Sequence, residues 1–494
     1  MTIAASAGSC HARRHSRHPG YQPRRPEDSV LYQVVAEYLE TFLEVSQDPV
    51  AGRLLPTFVE REFRAFLGCG VLAHGFARVR CEGCGDSVLV GFSCKGRGFC
   101  PSCGGRRMAS TAAHLVDHVL PEVPVRHWVR FLPIPLRFLA VYRPAIAEGC
   151  LRVLTGTIFE WMAQSTGSRI HPRSGCGAVS FRQRSGGALN LNLHFHLLVT
   201  DGCFDGDPED PSALVFKRLE EPSGEELQIL ERLVAERTIS LLEEQGLLEE
   251  GELALDPEEL VPRTSLDVCQ GASLGSSNAF DASAAAVPRR EGQARRAGMR
   301  GARADLSGRS FSLWAGSPIE PWERESLERL CRYVARPAVC DERLEMTDRG
   351  EVRLQLSRPH DDGTTHLVFD GVEFLGRLAA LVPRPRTHLV RYHGILAPNA
   401  ALRSEVVPGG AKATPADLGA RAGRTFWIPW ALLLKRTFGF EVLRCDRCGG
   451  RRKVLAMITD PTTIVEILRC LGLPTEPPAF AASRAERHGT FAWN

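Results

Sequence analysis

The sequence predicts an α+β protein: a small helical, cysteine-rich N-terminal domain, an antiparallel sheet of ferredoxin-like order with flanking helices, and a C-terminal α/β extension. Three observations predict it. Apolar residues alternate with polar ones over 190–199, as in a strand with two distinct faces. Elements between 125 and 315 run strand, helix, strand, strand, helix, strand, the order of a ferredoxin-like sheet, with one more helix following. Two Cys-x-x-Cys pairs, Cys81/Cys84 and Cys100/Cys103, mark a metal-stabilised module ahead of that sheet.

Residues 1–27 carry Arg13, Arg14, Arg17, Arg24, Arg25 and three histidines with few large apolar side chains, the pattern of a flexible basic arm. Asp28 or Ser29 then caps an amphipathic helix to about residue 46, and Thr57 with Glu60 forms a capping box for a second helix to about Leu67. A third helix, 105–120, stops at Pro121 and closes a domain of residues 28–121.

A central domain, 125–345, follows. Trp128–Leu132 forms its first strand and 144–164 its first helix; 177–183 and 190–199 are strands joined through Ser185-Gly186-Gly187. Ser223 and Glu226 open a helix with Leu227, Leu230, Val234 and Leu241 on one stripe. Residues 262–309 are rich in Gly, Ala, Ser and Arg without periodicity, which predicts a mobile insertion. Phe311–Ala315 is a short strand and 321–336 a helix that contains Tyr333. Residues 346–494 add strands at 352–357 and 366–370, a helix at 371–381, a proline-rich connector and the pair Cys445/Cys448.

A chain of 494 residues exceeds one ordinary core and predicts several domains. No run of about 18 apolar residues occurs and no signal-peptide core opens the chain, so the expected setting is cytoplasmic rather than membrane or secreted. A net charge of +3 does not by itself indicate a nucleic-acid partner, but clustered arginines allow local positive patches.

Sixteen cysteines in such a setting point to zinc rather than disulfides. The 15 residues between Cys84 and Cys100 let two knuckles close on one zinc ion, and four thiolates leave no open coordination position, so this zinc is expected to be structural. Cys94 is a spare thiol or an alternative ligand. Lys95, Arg97, Arg106 and Arg107 around the module could hold phosphates or simply solubilise it. His114 and His118 read as partly buried helix residues. Cys445/Cys448 is half a knuckle, with Cys470 or His488 as candidate partners.

In the run 191–200, strand alternation puts His194 and His196 on one face with Asn190 and Asn192; Leu191, Leu193, Phe195, Leu197 and Val199 take the other. The apolar face is expected in the core and the polar face to carry a site. Two neutral imidazoles so placed can grip a divalent metal ion, or merely meet solvent and hydrogen-bond partners.

Several stretches share a resemblance: Ser93–Cys103, Leu189–Asp201, Arg332-Tyr333-Val334-Ala335-Arg336-Pro337, Arg391-Tyr392-His393-Gly394 and Ala397–Ala400. Over residues 30–460 the chain resembles the rolling-circle transposases of bacterial insertion sequences, members of the HUH endonuclease superfamily with an N-terminal transposase zinc-binding domain. Its two-tyrosine branch has a second tyrosine four residues after the first. Here that position is Pro337, so the chain is similar to the single-tyrosine branch.

The resemblance implies an HUH endonuclease core in which Tyr333 attacks single-stranded DNA to give a 5′-phosphotyrosine. It further implies Mg²⁺ or Mn²⁺ on His194 and His196, with Gln183 as candidate third ligand. Arg332 and Arg336 beside the tyrosine would hold a phosphate; Tyr392 is the rival nucleophile. Implied partners are single-stranded DNA and the insertion-sequence ends in a bacterial nucleoid, and a homo-oligomer is among the assemblies it allows. A plasmid replication initiator or relaxase-like nicking enzyme shares this site, and a zinc-dependent DNA-binding regulator without catalysis is the alternative of another class.

Overall fold

The apolar face of the 191–200 run sets the architecture, because five large side chains on one side of a strand need a helical layer to cover them. A computed structural model describes residues 24–48, 52–168, 174–206, 214–249, 252–253, 262–275, 289–292, 311–408, 430–438 and 443–484. Nearly all of the basic arm lies outside them.

The N-terminal region begins with α1 (Val30–Val45), whose first turn is closed by the Ser29 hydroxyl accepting from the Tyr32 N–H. In α2 (Thr57–Leu67) the expected capping box does not form. Pro56 takes the N-cap position, so Thr57 is already helical, and its hydroxyl accepts from Arg61. A hairpin follows, β1 (Phe76–Cys81) and β2 (Ser87–Gly91). Then α3 (Pro101–His118) starts before residue 105, because Pro101 suits the first helical position and Cys100 precedes it.

The central region contains β3 (Val125–Phe131), α4 (Ile134–Tyr142), α5 (Pro144–Ser165), β4 (Gly177–Ser185) and β5 (Leu191–Thr200). A hairpin of β6 (Gly202–Gly206) and β7 (Leu214–Arg218) leads to α6 (Gly224–Glu244), where the Ser223/Glu226 capping box is complete. A two-residue ladder, β8 (Leu248–Glu249) on β9 (Glu252–Leu253), follows. Part of the insertion expected to be mobile is ordered: α7 (Ser265–Gly275) packs on α4, and β10 (Arg289–Gly292) pairs with a later strand. Residues 276–288 and 293–310 lie outside the described residues. Next come β11 (Ser312–Ala315) and α8 (Arg324–Val334).

The remaining strands are β12 (Leu344–Met346), β13 (Val352–Gln355), β14 (Thr364–Phe369), β15 (Val390–Gly394) and β16 (Arg452–Ile458), with α9 (Gly371–Leu381) and the helices Arg403–Val406, Trp430–Phe438 and Pro461–Cys470. These strands serve three sheets. One is β10-β14-β13-β12; β15 joins the edge of the central sheet; β16 pairs with β1. Helix α9 is buried along its whole length between α1 and α7, including Glu373 and Arg377, which pair at 3.0 Å.

The central sheet has the antiparallel order β11-β3-β5-β4-β15. On one face Leu193, Phe195, Leu197 and Val199 pack with Trp128 under α4, α5 and α6. The other face is covered too. Val125, Val179, Phe181 and Leu198 pack under α3 and α8 through Leu115, Leu327, Cys331 and Val334. His194 and His196 are therefore only 6% and 4% exposed, so the reading in which they merely meet solvent does not hold.

Candidate functional site

Register places Gln183 opposite His194 on β4, with Phe131 and Val129 of β3 opposite His194 and His196 on the other side, so these side chains share one face. A third histidine joins them. His127 Nε2 lies 2.8 Å from His196 Nδ1, with the rings stacked at a 10° interplanar angle. The His194 Nδ1–H donates to the Asn192 carbonyl at 2.8 Å, which leaves Nε2 with its lone pair. Burial pushes His127 down to about 4 and His196 down to about 3, the latter helped by His194, His127 and Arg336. Burial also lowers His194. All three are thus neutral near pH 7; the His127–His196 hydrogen bond uses the lone pair of one of its two rings, so His194 Nε2 and one nitrogen of that pair are left to donate to a metal ion.

Helix α8 brings Tyr333 over this face. Its ring stands edge-on to His196 at 6.1 Å and to His127 at 6.4 Å between centroids, and remains 47% exposed. The Arg336 guanidinium lies 4.6 Å from the Tyr333 ring centroid. The Gln183 amide donates to the Val334 carbonyl at 2.7 Å and so ties the end of α8 to β4. Trp314 of β11, 54% exposed, meets His127 edge-on at 5.4 Å. Tyr392 sits elsewhere, half-buried on β15 opposite Val179, with Arg403 against its ring. Tyr142 is hydrogen-bonded to the Asp267 carbonyl, and Tyr32 and Tyr38 lie on α1.

The cysteines assemble differently from the sequence expectation. Cys81, Cys84, Cys100 and Cys103 do not share one site; they divide between two groups, Cys69/Cys94/Cys100/Cys103 and Cys81/Cys84/Cys445/Cys448. The reason is the β1–β2 hairpin, which carries Cys81 and Cys84 at its tip away from α3, while the chain after β2 returns Cys94 to Cys69 and the start of α3. Sγ separations in the first group are 3.4–3.8 Å. A tetrahedral ion with bonds of about 2.3 Å sets its sulfurs about 3.8 Å apart, so this donor set fits zinc. The partners of Cys445 and Cys448 in the group are Cys81 and Cys84 rather than Cys470, and His488 lies outside the described residues.

Residues 35–131 match the family model described as “Transposase zinc-binding domain”, and residues 177–403 match the one described as “Putative transposase”. The chain belongs to the IS91-type transposases. No curated protein and no solved structure matches it. The transposase acts on DNA, and among its described residues no helix is long and apolar enough to cross a membrane.

In the transposase, Arg97, Arg107, Arg184 and Arg336 line one cleft between α3, β4 and the end of α8, together with Gln183. Arg97 donates to the Thr387 carbonyl and Arg107 to the Gly96 carbonyl, the latter at 2.7 Å. Lys95 and Arg106 are exposed, and Arg332 pairs with Glu328 at 3.5 Å. Sequence reasoning missed His127, Trp314 and Cys69. His127 gives no spacing signal, and only the pairing of β3 with β5 reveals it; Cys69 stands alone, without a Cys-x-x-Cys partner.

Proposed function

We propose that this transposase cleaves and rejoins single-stranded DNA through a 5′-phosphotyrosine formed on Tyr333, on an HUH-type core. The observation that carries the reading is an exposed tyrosine held edge-on to two buried, neutral histidines on the central sheet. The strand order β11-β3-β5-β4 supports it, being that of a ferredoxin-like sheet with β15 added at one edge.

His194 and His196, with His127 or Gln183 beside them, would hold Mg²⁺ or Mn²⁺, which supplies charge stabilisation at a scissile phosphate. The donors fit: with the His196 Nδ1–H donating to His127 Nε2, His194 and His196 each keep the Nε2 lone pair, and the Gln183 amide oxygen is a hard ligand. Tyr333 oxygen attacks phosphorus, the bond from phosphorus to the 3′ oxygen breaks, the phenolic proton goes to solvent and the 3′ oxygen takes one up. Attack by another 3′-hydroxyl reverses the step and joins strands without a nucleotide cofactor. Arg336 over the Tyr333 ring and the cleft with Arg97 and Arg107 would position the backbone, and Trp314 offers a ring to an unstacked base. Pro337 in place of a second tyrosine makes this a one-nucleophile scheme.

The test is covalent capture. The full chain with Mn²⁺ and a single-stranded oligonucleotide from an insertion-sequence end is expected to give a protein–DNA adduct stable to denaturant. Tyr333→Phe abolishes it with DNA affinity nearly intact, and His194→Ala, His196→Ala or excess EDTA each suppress it strongly. An adduct that survives Tyr333→Phe and vanishes in Tyr392→Phe would move the nucleophile to β15. A non-catalytic regulator would give no adduct at all.

A further inference from the structure

The second cysteine group joins parts of the chain far apart in sequence. Cys81 Sγ lies 3.4 Å from Cys448 Sγ, and Cys84 Sγ 3.6 Å from Cys445 Sγ. Both separations far exceed the roughly 2.05 Å of a disulfide and approach the roughly 3.8 Å of a tetrahedral thiolate site. The two Cys-x-x-Cys-Gly segments also have one backbone design. In the first, Gly85 N–H donates to Cys81 O and Cys81 N–H to Asp86 O; in the second, Gly449 N–H donates to Cys445 O and Cys445 N–H to Gly450 O. Gly85 and Gly449 both take the left-handed conformation, with φ of 74° and 70°. A Cβ on Gly450 would stand 3.1 Å from Cys448 Sγ and 3.2 Å from Cys81 Sγ, so the knuckles face each other across a space that a side chain would obstruct.

Arg452, its side chain 4% exposed, bridges the knuckles by pairing with Asp86 at 3.2 Å and Asp446 at 3.1 Å. The sheet β16-β1-β2 beneath has a small core: Phe76, Leu89, Ile464 and Leu468 are its buried members among the described residues. So few apolar side chains supply little folding free energy, the circumstance in which small modules depend on a structural metal.

We propose that Cys81, Cys84, Cys445 and Cys448 bind a second zinc ion, separate from the one suited to Cys69, Cys94, Cys100 and Cys103, and that it clasps the C-terminal strand β16 to the N-terminal hairpin. The chain thus carries two structural zinc ions, and one of them is made by residues from both ends of the described structure. This stands apart from the chemistry assigned to Tyr333.

Metal analysis of the purified full chain tests it. Two zinc ions per chain are expected, falling to one in Cys445→Ser/Cys448→Ser. One zinc in the wild type, iron in its place, or two zinc ions retained in that double variant would overturn the proposal. Should the variant be insoluble, alkylation of the wild type followed by peptide mass spectrometry decides. Cys84 and Cys448, exposed at their surface, are expected to resist iodoacetamide until a chelator is added. Reaction of Cys84 and Cys448 at the same rate with and without chelator would refute the site.

Discussion

His393 shows at a single residue how burial is turned into pH dependence. It lies on β15, its Nε2 is 2.7 Å from the Ser180 hydroxyl, and burial pushes it down to about 4. The unfolded chain binds this proton near pH 6.5 and the folded chain does not, so the contribution to stability is present above about pH 6.5 and lost as pH falls through about 4. One such group amounts to at most about 3 kcal/mol. Melting curves from pH 7 to pH 4 should therefore fall less steeply for His393→Asn than for the wild type; equal slopes would exclude the effect. His194 and His196 were legible in the sequence because parity along one strand is local information. His127 was not, because its place beside His196 depends on which strand pairs with β5.

At the scale of elements, α8 is short and held at both ends. Arg324 donates to the Val116, Leu120 and Pro121 carbonyls, and Gln183 holds the Val334 carbonyl. Tyr333 immediately precedes that carbonyl, so under the proposed mechanism Gln183 would position the nucleophile whether or not it also touches metal. Gln183→Leu should slow adduct formation about 10- to 100-fold while leaving single-stranded DNA affinity unchanged, as read by fluorescence anisotropy beside adduct kinetics. An unchanged rate would show that α8 needs no such tie. Strands and helices with clear periodicity, such as β5 and α6, were legible, and so was the Ser223/Glu226 cap. Helix α7 was hidden because polar groups are buried in it beside a few apolar ones, Leu266 and Cys269. The Ser265 hydroxyl donates to the Ser46 carbonyl and the Ser273 hydroxyl accepts from the Leu191 N–H, and no hydrophobic stripe announces such packing.

Over the whole molecule, the sequence suggested successive domains, whereas late strands complete early sheets: β15 the central one and β16 the N-terminal one. Cysteine spacing pointed to a metal-binding module, but the partition of the cysteines is decided by tertiary closure between residues 361 and 367 positions apart. A chain ending at residue 442 should lose protection against hydrogen exchange across the Phe76–Gly91 hairpin, because the Arg452–Ile458 partners of Phe76–Cys81 are gone, while α1, α2 and α9 stay protected. Full protection of Phe76–Cys81 in that truncation would show the hairpin to be self-sufficient.

The pairing of Phe76 with Ile458 also sets a clock during synthesis. At about 5–20 residues per second, the ribosome delivers β16 roughly 20–80 s after β1 has emerged. Throughout that interval the N-terminal hairpin has an open edge and two unsatisfied thiols, Cys81 and Cys84. A nascent chain released early keeps both defects, so only a product translated through residue 458 closes this part of the fold.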